Sequence, residues 1–112
     1  MMEPPRLPAG LEVSGLVRQT QAAGGFAMVL HKGEADSGTI LVVAVDRAGI
    51  GTLYERLPDP AGPRRWIAVR VQDAGARADF DDYLDRRKCQ DPDVWIVELT
   101  VAEVERSILN AR

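Results

Sequence analysis

Few side chains in this sequence could do chemistry, and they lie far apart. His31 is the single histidine and Cys89 the single cysteine. A metal site or a general base at His31 would need partners converging on it, and the nearest acids, Glu34 and Asp36, fall in a polar turn that should face water. His31 therefore reads as a strand-end residue. Cys89 follows Arg86-Arg87-Lys88, and cationic neighbours favour a thiolate. Its place at the end of a helical segment opposes that effect, and no second cysteine could resolve an oxidised form.

Asp79, Asp81, Asp82 and Asp85 have the look of a cation site. On a helix they occupy the N-terminal half, with Arg86, Arg87 and Lys88 in the last turn. That distribution complements the helix dipole without any metal. A restriction-type nuclease core would place an acidic-x-lysine triplet after Pro92-Asp93, and no lysine follows Lys88. Gly24-Gly25 closes a helix instead of opening one, so it lacks the free amides of a phosphate cradle. The turn from Lys32 to Gly38 offers at most a small anion nest. No nucleophile elbow, P-loop or zinc-ligand spacing occurs.

One constellation joins a helix end, a proline turn and a strand start: Arg86, Arg87, Asp91, Asp93 and Trp95. Together with Arg65 these are the candidate contacts for an anion or a partner, because guanidinium groups grip carboxylates and phosphates in a bidentate manner. The competing interpretation is an ion-pair network that pins helix to strand. No catalytic residue and no metal ligand can be assigned.

These residues must be positioned by a compact set of elements. Residues 1–10 are proline-rich and expected to be extended, followed by a single domain over 11–112. From Leu11, Val13, Leu16, Val17, Thr20 and Ala23 share one helical face up to Gly24-Gly25. Strands are expected at Phe26–His31, Thr39–Val45, Ile50–Leu57 and Arg65–Val71, with a rigid proline loop at 58–63. Short turns favour an antiparallel four-strand meander. A second helix runs from Ala76 to Lys88 with Phe80, Tyr83, Leu84 and Arg87 along one stripe, and Pro92 stops it. The strand Val94–Leu99 follows. Thr100-Val101-Ala102-Glu103 has the form of a capping box, opening a last helix with Val104, Ile108 and Leu109 on its apolar side. The order α-β-β-β-β-α-β-α describes an α/β sandwich in which the meander extends to a mixed sheet.

Composition sets the outer bounds. The chain has 112 residues, 46% hydrophobic and 28% charged, and can bury a core without disulfides or a metal. Its net charge of −3 argues against nucleic acid as a partner, since that affinity comes from neutralising phosphates. Arginines outnumber lysines twelve to two, but they are scattered rather than clustered in one motif. The longest apolar run, Ile40 to Val45, is too short to cross a bilayer, and Met1-Met2-Glu3-Pro4-Pro5-Arg6 lacks the apolar run of a signal peptide. A lone cysteine fits a reducing cytoplasm.

Five stretches carry a family likeness. They are Leu11-Glu12-Val13-Ser14-Gly15-Leu16, Ala22-Ala23-Gly24-Gly25-Phe26-Ala27, Gly38-Thr39-Ile40-Leu41-Val42-Val43, Asp82-Tyr83-Leu84-Asp85-Arg86-Arg87, and Gln90-Asp91-Pro92-Asp93-Val94-Trp95-Ile96-Val97-Glu98-Leu99. In this order the chain resembles domain of unknown function family 1491, small alphaproteobacterial proteins. The resemblance implies neither an activity nor a cofactor nor a set of catalytic residues. The expected function is that of a non-catalytic cytoplasmic module that binds a protein partner or forms a homodimer. The alternative is a binder, or a modest enzyme, for an anionic metabolite.

Overall fold

The computed structural model describes residues 7–59, 62–72, 77–104 and 108–109. The elements are α1 (Ala9–Ala22), β1 (Phe26–His31), β2 (Ile40–Val45), β3 (Gly51–Asp59), β4 (Gly62–Val71), α2 (Arg77–Gln90) and β5 (Trp95–Thr100). The α/β class, the single mixed sheet and the order α-β-β-β-β-α-β agree with the sequence expectation.

The strand order is β1-β5-β2-β3-β4. The meander therefore holds three strands, β2 to β4, and not four. β1 runs antiparallel to β5, and β5 runs parallel to β2, so the last strand lies between two strands that sequence proximity would have paired. The reason is burial. β5 reads Trp-Ile-Val-Glu-Leu-Thr and β2 reads Ile-Leu-Val-Val-Ala-Val, the two segments apolar enough to be covered on both faces. Pairing them in the middle removes the most apolar surface from water.

The loop between β1 and β2 must then span the width of a strand, and it does so across the start of β5. Glu34 donates its amide to the Asp93 carbonyl at 2.9 Å, and Trp95 donates its own to Thr39 at 2.7 Å. The loop sits so close that a Cβ on Gly33 would lie 2.1 Å from the Asp93 carbonyl oxygen, and one on Gly38 would lie 2.5 Å from the same atom. Only residues without side chains fit there.

The two faces of the sheet carry separate cores. On one, Ala9, Val13 and Leu16 of α1 pack with Val42, Tyr54, Trp66, Trp95, Val97 and Leu99. On the other, Phe80 and Leu84 of α2 pack on Leu41, Val43, Leu53, Val94 and Ile96. Thr20 is fully buried and donates its hydroxyl to the Leu16 carbonyl at 2.8 Å, which satisfies the one polar group on that helix face.

Several boundaries differ from expectation. α1 begins at Ala9 and not after residue 10, because Ala9 and Gly10 donate their amides to Asp36 and Ala35 at 3.0 and 2.8 Å. The β1–β2 loop thus supplies the acceptors that a capping side chain would, directly after Pro8. β3 and β4 extend into the proline segment, to Asp59 and from Gly62. Beyond Glu55 the strand β3 no longer pairs with β2, so Pro58 sits where no second neighbour needs an amide donor. α2 runs to Gln90, past Lys88. Glu103 has φ 55°, which is not the helical conformation that a capping box requires at that position. The rest of the expected last helix falls mostly on 105–107 and 110–112, outside the described residues. Val104 and Leu109 nevertheless are buried in the α1-side core.

Candidate functional site

The strongest polar assembly lies under α2. Strand alternation puts Glu55 on the α2 face of β3 beside Leu53, and helical spacing puts Tyr83 and Arg87 one turn apart above it. Arg87 grips Glu55 in a bidentate manner, with Nη1–Oε1 at 3.0 Å and Nη2–Oε2 at 3.2 Å, and Nη1 also donates to the Tyr83 hydroxyl at 3.2 Å. The Glu55 hydrogen bonds raise the Arg87 pKa above its ordinary value, more than partial burial lowers it. This guanidinium already has its anion. Two more guanidiniums approach the Tyr83 ring, Arg70 at 4.6 Å and Arg86 at 5.9 Å from its centroid.

The remaining sequence candidates go elsewhere. Asp91 and Asp93 shape their own turn: Asp91 Oδ1 accepts the Asp93 amide at 3.1 Å, and the Asp91 carbonyl accepts the Val94 amide. Trp95 is buried on the opposite face, under α1, and donates Nε1–H to the Glu34 carbonyl at 2.8 Å. Arg65 is exposed on β4. The sheet therefore separates Trp95 from Arg86 and Arg87, and the pairing partner of Arg87 is Glu55, not an aspartate of the turn. The sequence missed Arg70 and Glu55. A register shift between Leu53 and Tyr54 offsets β4, so simple alternation from Arg65 cannot tell which face Arg70 takes.

His31 is tied down by its ring. Its Nδ1–H donates to the Val94 carbonyl at 2.6 Å, which orients the imidazole at the start of β5. Glu34 turns back on its own loop, where Oε2 accepts the amides of Ser37 and Asp36 and the Ser37 hydroxyl. The Ser37 amide is the main reason its pKa lies below the ordinary glutamate value. Cys89 is exposed in the last turn of α2. Asp81 and Asp85 form i,i+4 and i,i+3 pairs with Arg77 and Lys88. Among the described residues no three His, Cys, Asp or Glu side chains gather in a metal-binding cluster.

Concave surface is modest. A cleft of about 230 Å³ beside the start of α1 is lined by Glu12, Asp36, Ser37 and Arg56, and Arg56 is ion-paired to Glu12 and lies over the Trp66 ring. A second cleft, about 330 Å³, lies between the end of β2 and the turn after β5. Neither brings a nucleophile and a base together.

The two sheet edges differ sharply. β4 carries Arg65 and Arg70, charged residues that discourage pairing with another strand, beside the exposed Val69 and Val71. β1 reads Phe-Ala-Met-Val-Leu-His and holds no full charge. Phe26 is 58% exposed, Met28 45%, Val29 42% and Leu30 40%. Register places Phe26 and Met28 on the α2 face, opposite Thr100 and Glu98, where α2 does not reach.

Among the described residues, fold and surface together define a small α/β domain, a five-strand mixed sheet with one helix on each face, a charged edge at β4 and an uncovered edge at β1. The chain belongs to the DUF1491 family of proteins of unknown function, whose model matches residues 7–109. It is similar to a DUF1491 family protein from Caulobacter crescentus solved by crystallography, with 36% identity, 85% of this chain and 88% of that one covered, and a TM-score of 0.75. An NMR structure of a DUF1491 family protein from the same organism gives 32% identity, 96% coverage of each chain and a TM-score of 0.74. The solution structure of protein Atu0922 from A. tumefaciens gives 31% identity, 96% and 95% coverage, and a TM-score of 0.73. No curated protein matches the chain. No helix among the described residues is long and apolar enough to cross a membrane.

Proposed function

We propose that this protein is a non-catalytic interaction module of the bacterial cytoplasm, and that its working surface is the open edge at β1. The observation that carries this reading is the run of four exposed apolar side chains on an uncharged edge strand. Folded domains usually blunt such edges with lysine, proline or a covering element. An edge left open in a chain whose other edge carries charge is suited to receive an extended strand of a polypeptide, with main-chain hydrogen bonds for affinity and the flanking side chains for selectivity. The absence of any converging nucleophile and base among the described residues supports the same reading.

The test is a comparison of two baits. Wild-type protein and the Met28→Lys variant, both shown to be folded by circular dichroism, are immobilised and exposed to native lysate. Proteins retained by the wild type and lost from the variant support strand addition. Identical sets on both baits would remove β1 from consideration.

One observation favours a second reading, recognition of an anionic metabolite. Arg70 and Arg86 both lie against Tyr83, beside the Arg87–Glu55 pair, and they would give a phosphate or carboxylate two guanidiniums over an aromatic floor. A melting-temperature screen with phosphates and dicarboxylates checks it. A stabilising ligand should lose its effect in Arg70→Gln, whereas a screen without any shift would end this reading.

A further inference from the structure

We infer that the strand received by β1 is β1 of a second copy, paired antiparallel about a two-fold axis at Met28. This rests on the open-edge reading and names its occupant. In an antiparallel pair of identical strands, residues facing one another must both direct their amides and carbonyls outward or both inward, so the axis passes through a residue and not between two. An axis at Met28 sets Met28 against its own copy and Ala27 against Val29, with Phe26 flanking them where the bulge at Leu30 interrupts the ladder. Every one of these pairs is apolar with apolar, and no like charges meet.

The two-fold axis stands perpendicular to the sheet, so each face continues into the same face of the partner. Phe26 and Met28 of both copies thereby form one shared patch on the α2 side, the side that neither α2 covers at this edge. A five-strand sheet becomes a ten-strand sheet whose outer edges are the two charged β4 strands. The bulge between Val29 and His31 ends the regular ladder, so the paired stretch is short.

Size sets the expected strength. The four exposed side chains offer on the order of 300 Å² per copy, against about 800 Å² per partner in a standard stable interface. The dimer should therefore be weak and reversible, not obligate.

Sedimentation equilibrium across about a hundredfold range of concentration reads this directly. The wild-type mass should climb from 12.3 kDa toward twice that value. Met28→Lys should weaken association at least tenfold while melting as a folded protein. The axis is checked separately in a Cys89→Ser background, which removes the natural thiol. Met28→Cys should oxidise to a covalent dimer, since facing residues of paired strands lie within disulfide reach. Ala27→Cys alone should not, but should cross-link when mixed with Val29→Cys. A monomer at every concentration, or a dimer indifferent to Met28→Lys, overturns self-pairing. The bait comparison reads the broader strand-addition proposal independently: a protein lost from the Met28→Lys bait alongside a strictly monomeric wild type would refute this inference and leave that proposal standing.

Discussion

At the scale of single residues, close approach and pairing decide what can change. Gly33 faces the Asp93 carbonyl oxygen, a backbone atom that cannot swing aside, so Gly33→Ala should lower stability by about 1–3 kcal/mol in a urea titration. Gly15, which has open space around it, should tolerate the same change. Arg87 and Glu55 are each about one-fifth exposed, so solvent weakens but does not erase their pairing. Arg87→Met should cost about 1–3 kcal/mol, less than a fully buried pair would, because it strands the Glu55 carboxylate. The double variant Glu55→Leu/Arg87→Met should recover part of that loss, and a double-mutant cycle measures the coupling. Glu34 differs in kind. Its folded-state pKa is depressed, so its contribution is complete above the unfolded glutamate range and is lost as pH falls through the lower folded value. The stability gap between wild type and Glu34→Gln should accordingly be present near neutral pH and narrow as acid titration passes below the ordinary glutamate range.

At the scale of elements, the sequence showed where strands and helices lie better than how they associate. The apolar period of α1, the stripe Phe80-Tyr83-Leu84-Arg87 and the span of β1 were legible because each is written locally. The place of β5 was not, since inserting it between β1 and β2 depends on comparing apolar content between segments far apart in the chain. The helix start at Ala9 was hidden for a similar reason: its acceptors come from Ala35 and Asp36, in another part of the chain. Arg86 and Arg87 were picked out by adjacency to Asp91 and Asp93, but alternation across the sheet and the offset in β4 gave them Glu55, Tyr83 and Arg70 as neighbours. The contrast between a buried strand leucine and an exposed helix leucine is also testable. Leu99 is fully buried and Leu11 is 62% exposed, so Leu99→Ala should cost about 2–5 kcal/mol while Leu11→Ala should stay within about 0.5 kcal/mol by chemical denaturation.

For the molecule as a whole, the chain invests its charge unevenly. Arginines and aspartates dress α2 and β4, and the β1 side is left plain. That asymmetry underlies both the proposed function and the inferred dimer, and it follows from where the polar residues were spent and not from any one motif. The insertion of β5 has another consequence, one of timing. A ribosome delivers β1 to β4 first, and for that interval the growing polypeptide holds an unfilled slot with bare hydrocarbon on both banks, at β1 and at β2. Ribosome-stalled nascent chains truncated just before Trp95 should be cut readily by added protease, while chains with β5 fully emerged should resist. A protein built this way cannot mature piecemeal: its keystone arrives late, and until then it depends on being shielded.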